Sequence, residues 1–133
     1  MKNNKAGFSL IELLLVLVLM GVMLAMAIPA WQQHQLTSGR QQAWLVLQRI
    51  GLQQEIWHIQ HGHYFEDIDR VMPPVSEESY KYQIDITDEG LLLSATVNAN
   101  GPQAQDVLCW RLTLADNGRA QSYGKGQGSG NCK

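Results

Sequence analysis

The longest hydrophobic stretch of the chain lies near its start, from Phe8 to Ile28. One carboxylate, Glu12, interrupts this stretch, and Pro29 follows it. At a rise of about 1.5 Å per residue, a helix of this length spans about 31 Å, close to the thickness of a bilayer core. A charged side chain costs about 2.5–3.5 kcal/mol at mid-bilayer and less near an end, so it marks a functional position. The pattern predicts a membrane-spanning helix in which Glu12 needs a partner.

After Pro29 the pattern becomes that of an amphipathic helix, which we predict from Ala30 to His61. Its apolar side chains form one stripe that should pack on a sheet: Leu36, Ala43, Leu47, Ile50 and Trp57. Glutamine and arginine lie between them, which suits a surface in contact with water. Gly62 is predicted to end this helix.

The second half of the chain has the alternation and the turn signals of β-strands. Residues 62–79 are predicted to form a loop with at most a short turn, and residues 98–106 a second connection. Turns are predicted at Asp88-Glu89-Gly90 and at Asp116-Asn117-Gly118. The strands are predicted at Tyr80–Ile86, Leu91–Val97, Val107–Leu114 and, as a short edge strand, Arg119–Tyr123. The fold class is therefore α+β, with one long helix packed on a small antiparallel sheet of three or four strands.

The composition fits one anchor and one small domain in 133 residues. The net charge is −2, and without Lys2 and Lys5 the balance is 8 basic to 12 acidic residues. An acidic balance does not suggest broad affinity for nucleic acid. The two cysteines, Cys109 and Cys132, lie near the C-terminus, and behind an export signal an even number indicates a disulfide in an oxidising compartment.

The N-terminal stretch has three interpretations. It could be an ordinary membrane anchor. It could also be a secretory signal, with the small-residue pattern Ala25-Met26-Ala27 and a mature chain starting at Ile28. Glu12 argues against a secretory signal, because a carboxylate early in the apolar core weakens insertion without benefit.

The third interpretation uses every feature of this stretch. A short basic leader ends at Gly7, and Phe8 follows. Counted from Phe8, glutamate is the fifth residue and Pro29 the twenty-second. This pattern resembles the class III signal of type IV prepilins. The resemblance implies that a prepilin peptidase cuts between Gly7 and Phe8 on the cytoplasmic face and then methylates the amine of Phe8.

The resemblance also implies the organisation of the chain. Residues 1–7 would be the leader, residues 8–29 the transmembrane and filament-core helix, and residues 30–133 a globular pilin domain. The helix would cross the inner membrane once, with its N-terminus in the cytoplasm. The inner-membrane assembly machinery would then transfer it into a helical filament of pilins, so that the domain ends in the periplasm or outside the cell.

Three residues of the helix would serve assembly. Glu12 would pair with the Phe8 amine of a neighbouring subunit and set the axial register. Gly21 and Pro29 are the helix-weakening positions. For Gly21, close helix packing and local melting during assembly remain equal alternatives.

The C-terminal stretch from Cys109 to Lys133 resembles the end of small type IVa minor pilins. In that group a cysteine opens a strand with a Leu-Thr-Leu core, and a Gly-rich loop closes at a second cysteine. The resemblance implies a loop bounded by a Cys109–Cys132 disulfide and favours a minor over a major pilus subunit. The implied role is assembly or priming of a filament used for motility, adhesion or DNA uptake.

The sequence also contains residues that could bind a metal ion or act in catalysis. The densest set of metal-ligand types is His58, His61, His63, Glu66, Asp67 and Asp69. No fixed motif connects these residues, so a solvated helix end is the better interpretation, and no metal or cofactor is expected. The acidic turns do not match a calcium-binding EF-hand loop. No catalytic constellation is present, and an enzyme is not expected.

DNA is one candidate ligand of the C-terminal loop. Basic residues outnumber acids there, and Trp110 and Tyr123 lie close to Arg111, Arg119 and Lys125 in sequence. Such a loop could contact phosphates and bases. A solvated face is the commoner meaning of such charges, so binding of DNA or a cell surface through Trp110, Arg119 and Lys125 is the second hypothesis. A type II secretion pseudopilin, with free cysteines, is the third.

The leader prediction can be tested by mass. Gly7→Ile should block removal of the leader, because the peptidase needs a small residue before the cut. Mass spectrometry of the wild-type chain should find a methylated Phe8 as the first residue, whereas the variant should retain the seven-residue leader. A mature chain that starts at Ile28 would instead establish a secretory signal.

Overall fold

The computed structural model describes residues 9–126, and within them the chain forms one long α-helix, a short 3₁₀ turn and four β-strands. Helix α1 runs from Leu10 to His61 and contains 52 residues. It ends as predicted, because Gly62 adopts a positive φ of 77° and its amide donates to the carbonyl of His58 at 2.8 Å. Gly7, Phe8 and Cys132, to which roles were assigned from the sequence, lie outside the described residues.

The chain divides into two compact units between Gln35 and Leu36. In the described part of the first unit every residue is exposed. By length and composition helix α1 could cross a membrane. Pro29 lies inside the continuous helix, and a side chain added at Gly21 would meet open space within this chain.

The second unit contains a four-stranded antiparallel sheet in the order β1-β2-β3-β4. Its strands are β1 at Tyr80–Thr87, β2 at Gly90–Val97, β3 at Arg111–Ala115 and β4 at Ala120–Tyr123. Asp88 and Glu89 form the tight β1–β2 turn, in which Thr87 pairs with Gly90. The predicted sheet is confirmed with four strands, and three of them lie within one residue of the predicted bounds.

The third strand was predicted wrongly at its start. It was expected from Val107, but β3 begins at Arg111. The carboxylate of Asp106 accepts the amide of Cys109 at 3.1 Å, and the carbonyl of Val107 accepts the amide of Lys125 at 2.8 Å. These bonds hold the backbone in a turn, so Cys109 precedes the strand that it was expected to open.

One face of α1 packs on the sheet and forms the core of the second unit. Ala43, Leu47 and Ile50 are buried there against Leu93 and Leu112 of the sheet. The predicted stripe is therefore confirmed at its centre, and its ends, Leu36 and Trp57, are half-buried.

Two buried polar residues, Arg40 and Gln54, also lie on the buried face of α1, which the hydrophobic pattern does not reveal. Gln54 fixes the loop after the helix, since its amide nitrogen donates to the carbonyl of Phe65 at 2.7 Å and its oxygen accepts the Phe65 amide at 3.0 Å. Gln53 forms the same pair of bonds with the backbone of Met72. The loop is held to the helix by side-chain amides, with only a short 3₁₀ turn at Ile68–Arg70.

Truncation of the helix face that packs on the sheet should destabilise the domain. Leu47 is 0 % exposed, so Leu47→Ala should lower the free energy of unfolding by about 2–5 kcal/mol. Leu45 lies two residues away on the same helix and is 65 % exposed, so Leu45→Ala is the matched control, with a change below about 0.5 kcal/mol. Denaturant unfolding of the detergent-solubilised full chains gives both values. Equal losses in the two variants would show that this face does not form the core.

A cationic row on the outer face of the sheet

Strand register aligns four side chains across the outer face of the sheet, the face opposite α1. Lys81 pairs with Thr96, Thr96 with Arg111, and Arg111 with Tyr123. Tyr80 and Tyr82, the neighbours of Lys81, are buried in the core, so the alternation of a strand places Lys81 on the outer face. We call Lys81, Thr96, Arg111 and Tyr123 the cationic row.

An aromatic–cation pair lies at the β3 and β4 end of this row. The ammonium of Lys125 is 4.6 Å from the ring centroid of Trp110, within the range of a cation–π contact. The bond from the Lys125 amide to the carbonyl of Val107 fixes the backbone that carries this side chain. The backbone carbonyl of Trp110 accepts the amide of Val97 at 2.8 Å, which joins this residue to β2.

A wide concavity of about 1160 Å³ adjoins the cationic row and the Trp110–Lys125 pair. Thr96, Arg111 and Tyr123 line it together with Trp110. Two acids, Glu66 and Asp85, also line it. Among the described residues that line it, Arg111 is the one cation, so positive charge is local to one part of the concavity.

Of the three contact residues predicted from the sequence, the structure brings together only Trp110 and Lys125. Arg119 lies at the turn between β3 and β4, where its carbonyl accepts the amide of Ala115 at 3.0 Å. Arg111 lies on β3 four residues before Ala115, the strand residue opposite Arg119. At about 3.3 Å per residue, the backbones of Arg111 and Arg119 are therefore about 13 Å apart. Sequence proximity therefore grouped residues that a strand separates.

Lys81 was missed in the sequence analysis because it lies thirty positions before Arg111. Its only sequence signal is the alternation Tyr80-Lys81-Tyr82, which shows that it faces away from the core. Its alignment with Arg111 depends on the β1–β2 and β2–β3 registers, which the sequence alone does not give.

The histidines at the end of α1 are engaged with aromatic rings. His61 stacks on Trp57 with centroids 3.8 Å apart, and His58 stacks on Tyr64 at 4.5 Å. Within residues 9–126 no group of three or more histidine, cysteine, aspartate or glutamate side chains could hold a metal ion. At the acidic β3–β4 turn, the Asp116 carboxylate accepts the amides of Leu91 at 3.3 Å and Asn117 at 2.7 Å. This side chain therefore stabilises the local backbone by hydrogen bonding.

A buried ion pair connects α1 to the turn before β3, which the sequence analysis also missed. Nε and Nη2 of Arg40 donate to the two carboxylate oxygens of Asp106 at 2.7 and 2.9 Å. These hydrogen bonds hold the pKa of Arg40 above its usual value, against the opposing effect of burial. Cys109, in the same turn, is 0 % exposed. Its pairing with Cys132 stays a prediction.

The N-terminal assembly residues can be placed only in part. Glu12 lies in the first turn of α1, where its amide donates to the carbonyl of Ser9 at 3.0 Å, and its side chain is exposed. Its expected partner, the amine of Phe8, lies outside the described residues. The pairing of the two groups stays a prediction.

Comparison with known proteins places this fold in one class. Residues 2–28 match the model of the prokaryotic N-terminal methylation motif. The chain is 29 % identical over 118 residues to the type IV major pilin protein PilE1 of Neisseria gonorrhoeae, which covers 86 % of this chain and 64 % of the relative. The long apolar helix packed on a four-stranded antiparallel sheet is the fold of a type IV pilin.

The family within this class follows from the globular part. Residues 29–113 match the family model described as "Type IV minor pilin ComP, DNA uptake sequence receptor". This match covers more than half of the chain, and the chain belongs to the ComP family of type IV minor pilins. The resemblance to prepilins and to minor pilins is confirmed. The family is one of structural subunits.

Proposed function

We propose that the chain is a minor subunit of a type IV pilus that contacts DNA through the cationic row and the Trp110–Lys125 pair. The observation that carries the proposal is the alignment of Lys81 and Arg111 beside the pair formed by the half-buried Trp110 and the exposed Lys125. Phosphates are bound by lysine and arginine, and bases stack on aromatic rings. The name of the family, which includes a DNA uptake sequence receptor, supports this ligand over the solvated face preferred from the sequence alone.

The charge balance of the chain is consistent with a local contact. The chain as a whole is acidic, so broad electrostatic attraction to DNA is weak. A few cations at fixed positions can still release counterions from the phosphates that they touch. Binding should therefore depend on individual cations of the row rather than on net charge.

Salt dependence of binding tests the proposed face. For the detergent-solubilised full chain, Arg111→Ala and Lys125→Ala should each reduce the slope of log K for duplex DNA against log salt by about one. Arg119→Ala is the matched control, because it removes the same charge from the far end of the β3–β4 hairpin and should leave the slope unchanged. A reduced slope in the Arg119 variant alone would contradict the proposed face.

The subunit role of the chain rests on the N-terminal helix. The described part of the first unit has no buried residue of its own, so its apolar surface needs either lipid or other helices. We propose that it lies in the inner membrane before assembly and among the helices of other pilins afterwards, after prepilin peptidase has removed the leader. Glu12 would then meet the Phe8 amine of a neighbour. The alternatives are a major pilin and a type II secretion pseudopilin, and the abundance of the chain in sheared filaments separates a major from a minor subunit.

Incorporation into filaments tests the role of Glu12. Glu12→Ala should leave membrane insertion and leader cleavage intact but reduce the amount of the chain in sheared filaments, because the Phe8 amine of the neighbour loses its counter-charge. Leu13→Met, one residue further along α1, keeps an apolar side chain of similar volume, so it is the control and should be incorporated normally. Normal incorporation of the Glu12 variant would show that register is set elsewhere.

A further inference from the structure

The carboxylate of Asp106 organises the turn before β3 through its hydrogen bonds. The side chain of Asp106 is 1 % exposed, and one oxygen, Oδ1, accepts from both Arg40 Nη2 and the Cys109 amide. The other oxygen accepts Nε of Arg40. The carboxylate therefore joins helix α1 to the backbone of residues 106–109, which we call the Asp106 turn.

The Asp106 turn supports both members of the Trp110–Lys125 pair. Trp110 follows directly after Cys109, so the position of the turn determines where the indole enters the site. The carbonyl of Val107, also in the turn, accepts the Lys125 amide at 2.8 Å. Residues 124–126 are not part of a strand. The hydrogen bond from Lys125 to Val107 attaches their backbone to the Asp106 turn.

Helix α1 is the rigid side of this arrangement. Arg40 lies on the buried face of α1, three residues before Ala43, and a guanidinium that donates two bonds to one carboxylate fixes orientation as well as distance. A second hydrogen bond also attaches the connection between β2 and β3 to the helix: Nε2 of Gln103 donates to the carbonyl of Leu36 at 3.2 Å. Gly39 makes room for it, because a Cβ there would be 1.3 Å from Nε2 of Gln103.

We propose that Arg40 and Asp106 are positioning residues for the proposed DNA-binding face, which consists of the cationic row and the Trp110–Lys125 pair. Through the Asp106 turn they fix Trp110 and Lys125 relative to the sheet. Neither residue contacts the ligand. A buried ion pair adds little net stability compared with apolar residues of similar size, and its value lies in specifying one arrangement. The DNA-binding readout below rests on the proposed function, whereas the readout on the turn does not.

The experiment compares three variants of the detergent-solubilised full chain. The double variant Arg40→Met with Asp106→Leu removes both charges, so no lone charge is left buried and the domain should still fold. Arg40→Lys keeps the positive charge and leaves Asp106 free to accept the Cys109 amide. Arg49→Met removes one arginine from the same helix without touching the Asp106 turn, and is the matched control.

Amide hydrogen exchange reports the turn directly. In the double variant the amides of Cys109 and Lys125 should exchange about tenfold faster, while Leu93 and Ala95 in β2 keep their protection. Arg40→Lys should lie between the double variant and the wild type, and Arg49→Met should match the wild type. Unchanged exchange at Cys109 and Lys125 in the double variant would overturn the proposal, and so would an equal increase in β2, which would show that the pair supports the whole fold.

Retention of duplex DNA is the second readout. The double variant should bind about tenfold more weakly than the wild type, and Arg49→Met should bind as the wild type does. Faster exchange at Lys125 with unchanged DNA affinity would overturn the positioning role. A wild-type chain that does not retain DNA would overturn the proposed function, and the exchange data would then decide the effect of the pair on the turn by themselves.

Discussion

Asp106 connects parts of the chain that are 66 residues apart in sequence, because it holds Arg40 of helix α1 while it also accepts the amide of Cys109. The start of β3, the placement of Trp110 and the backbone tie of Lys125 all follow from the turn that this carboxylate organises. A buried carboxylate needs its full set of hydrogen bonds, since an unpaired charge in the interior is strongly destabilising. The ion pair therefore constrains the positions of Trp110 and Lys125 on the proposed DNA-binding face.

Periodicity predicted those parts of the fold in which burial alone determines the structure. The stripe of Ala43, Leu47 and Ile50 identified the face of α1 that packs on the sheet, and the glycine after His61 gave the end of the helix. Turn residues gave both hairpins. The start of β3 was wrong because Val107 and Leu108 read as strand residues, whereas a side-chain bond from Asp106 bends the backbone there.

The candidate site was harder to predict for a related reason. Trp110 and Lys125 were identified from local composition, but Arg119 was grouped with them although a strand separates it from Arg111. Lys81 and Arg40 were missed, because their neighbours in space come from strand register and from an ion pair between distant segments. Residues at such positions carry no local signal in the sequence.

The two halves of the proposed function make different physical demands on the chain. Filament assembly needs an apolar helix with one charge that finds its partner in another subunit. DNA contact needs a few cations held at fixed positions on an otherwise acidic protein. Site-specific photo-crosslinking compares these positions directly: a photoreactive residue is placed at position 125 or at position 119 of the full chain, and duplex DNA is added at low salt. We expect crosslinked DNA from position 125 and not from position 119, and crosslinking from position 119 alone would contradict DNA contact through the Trp110–Lys125 pair.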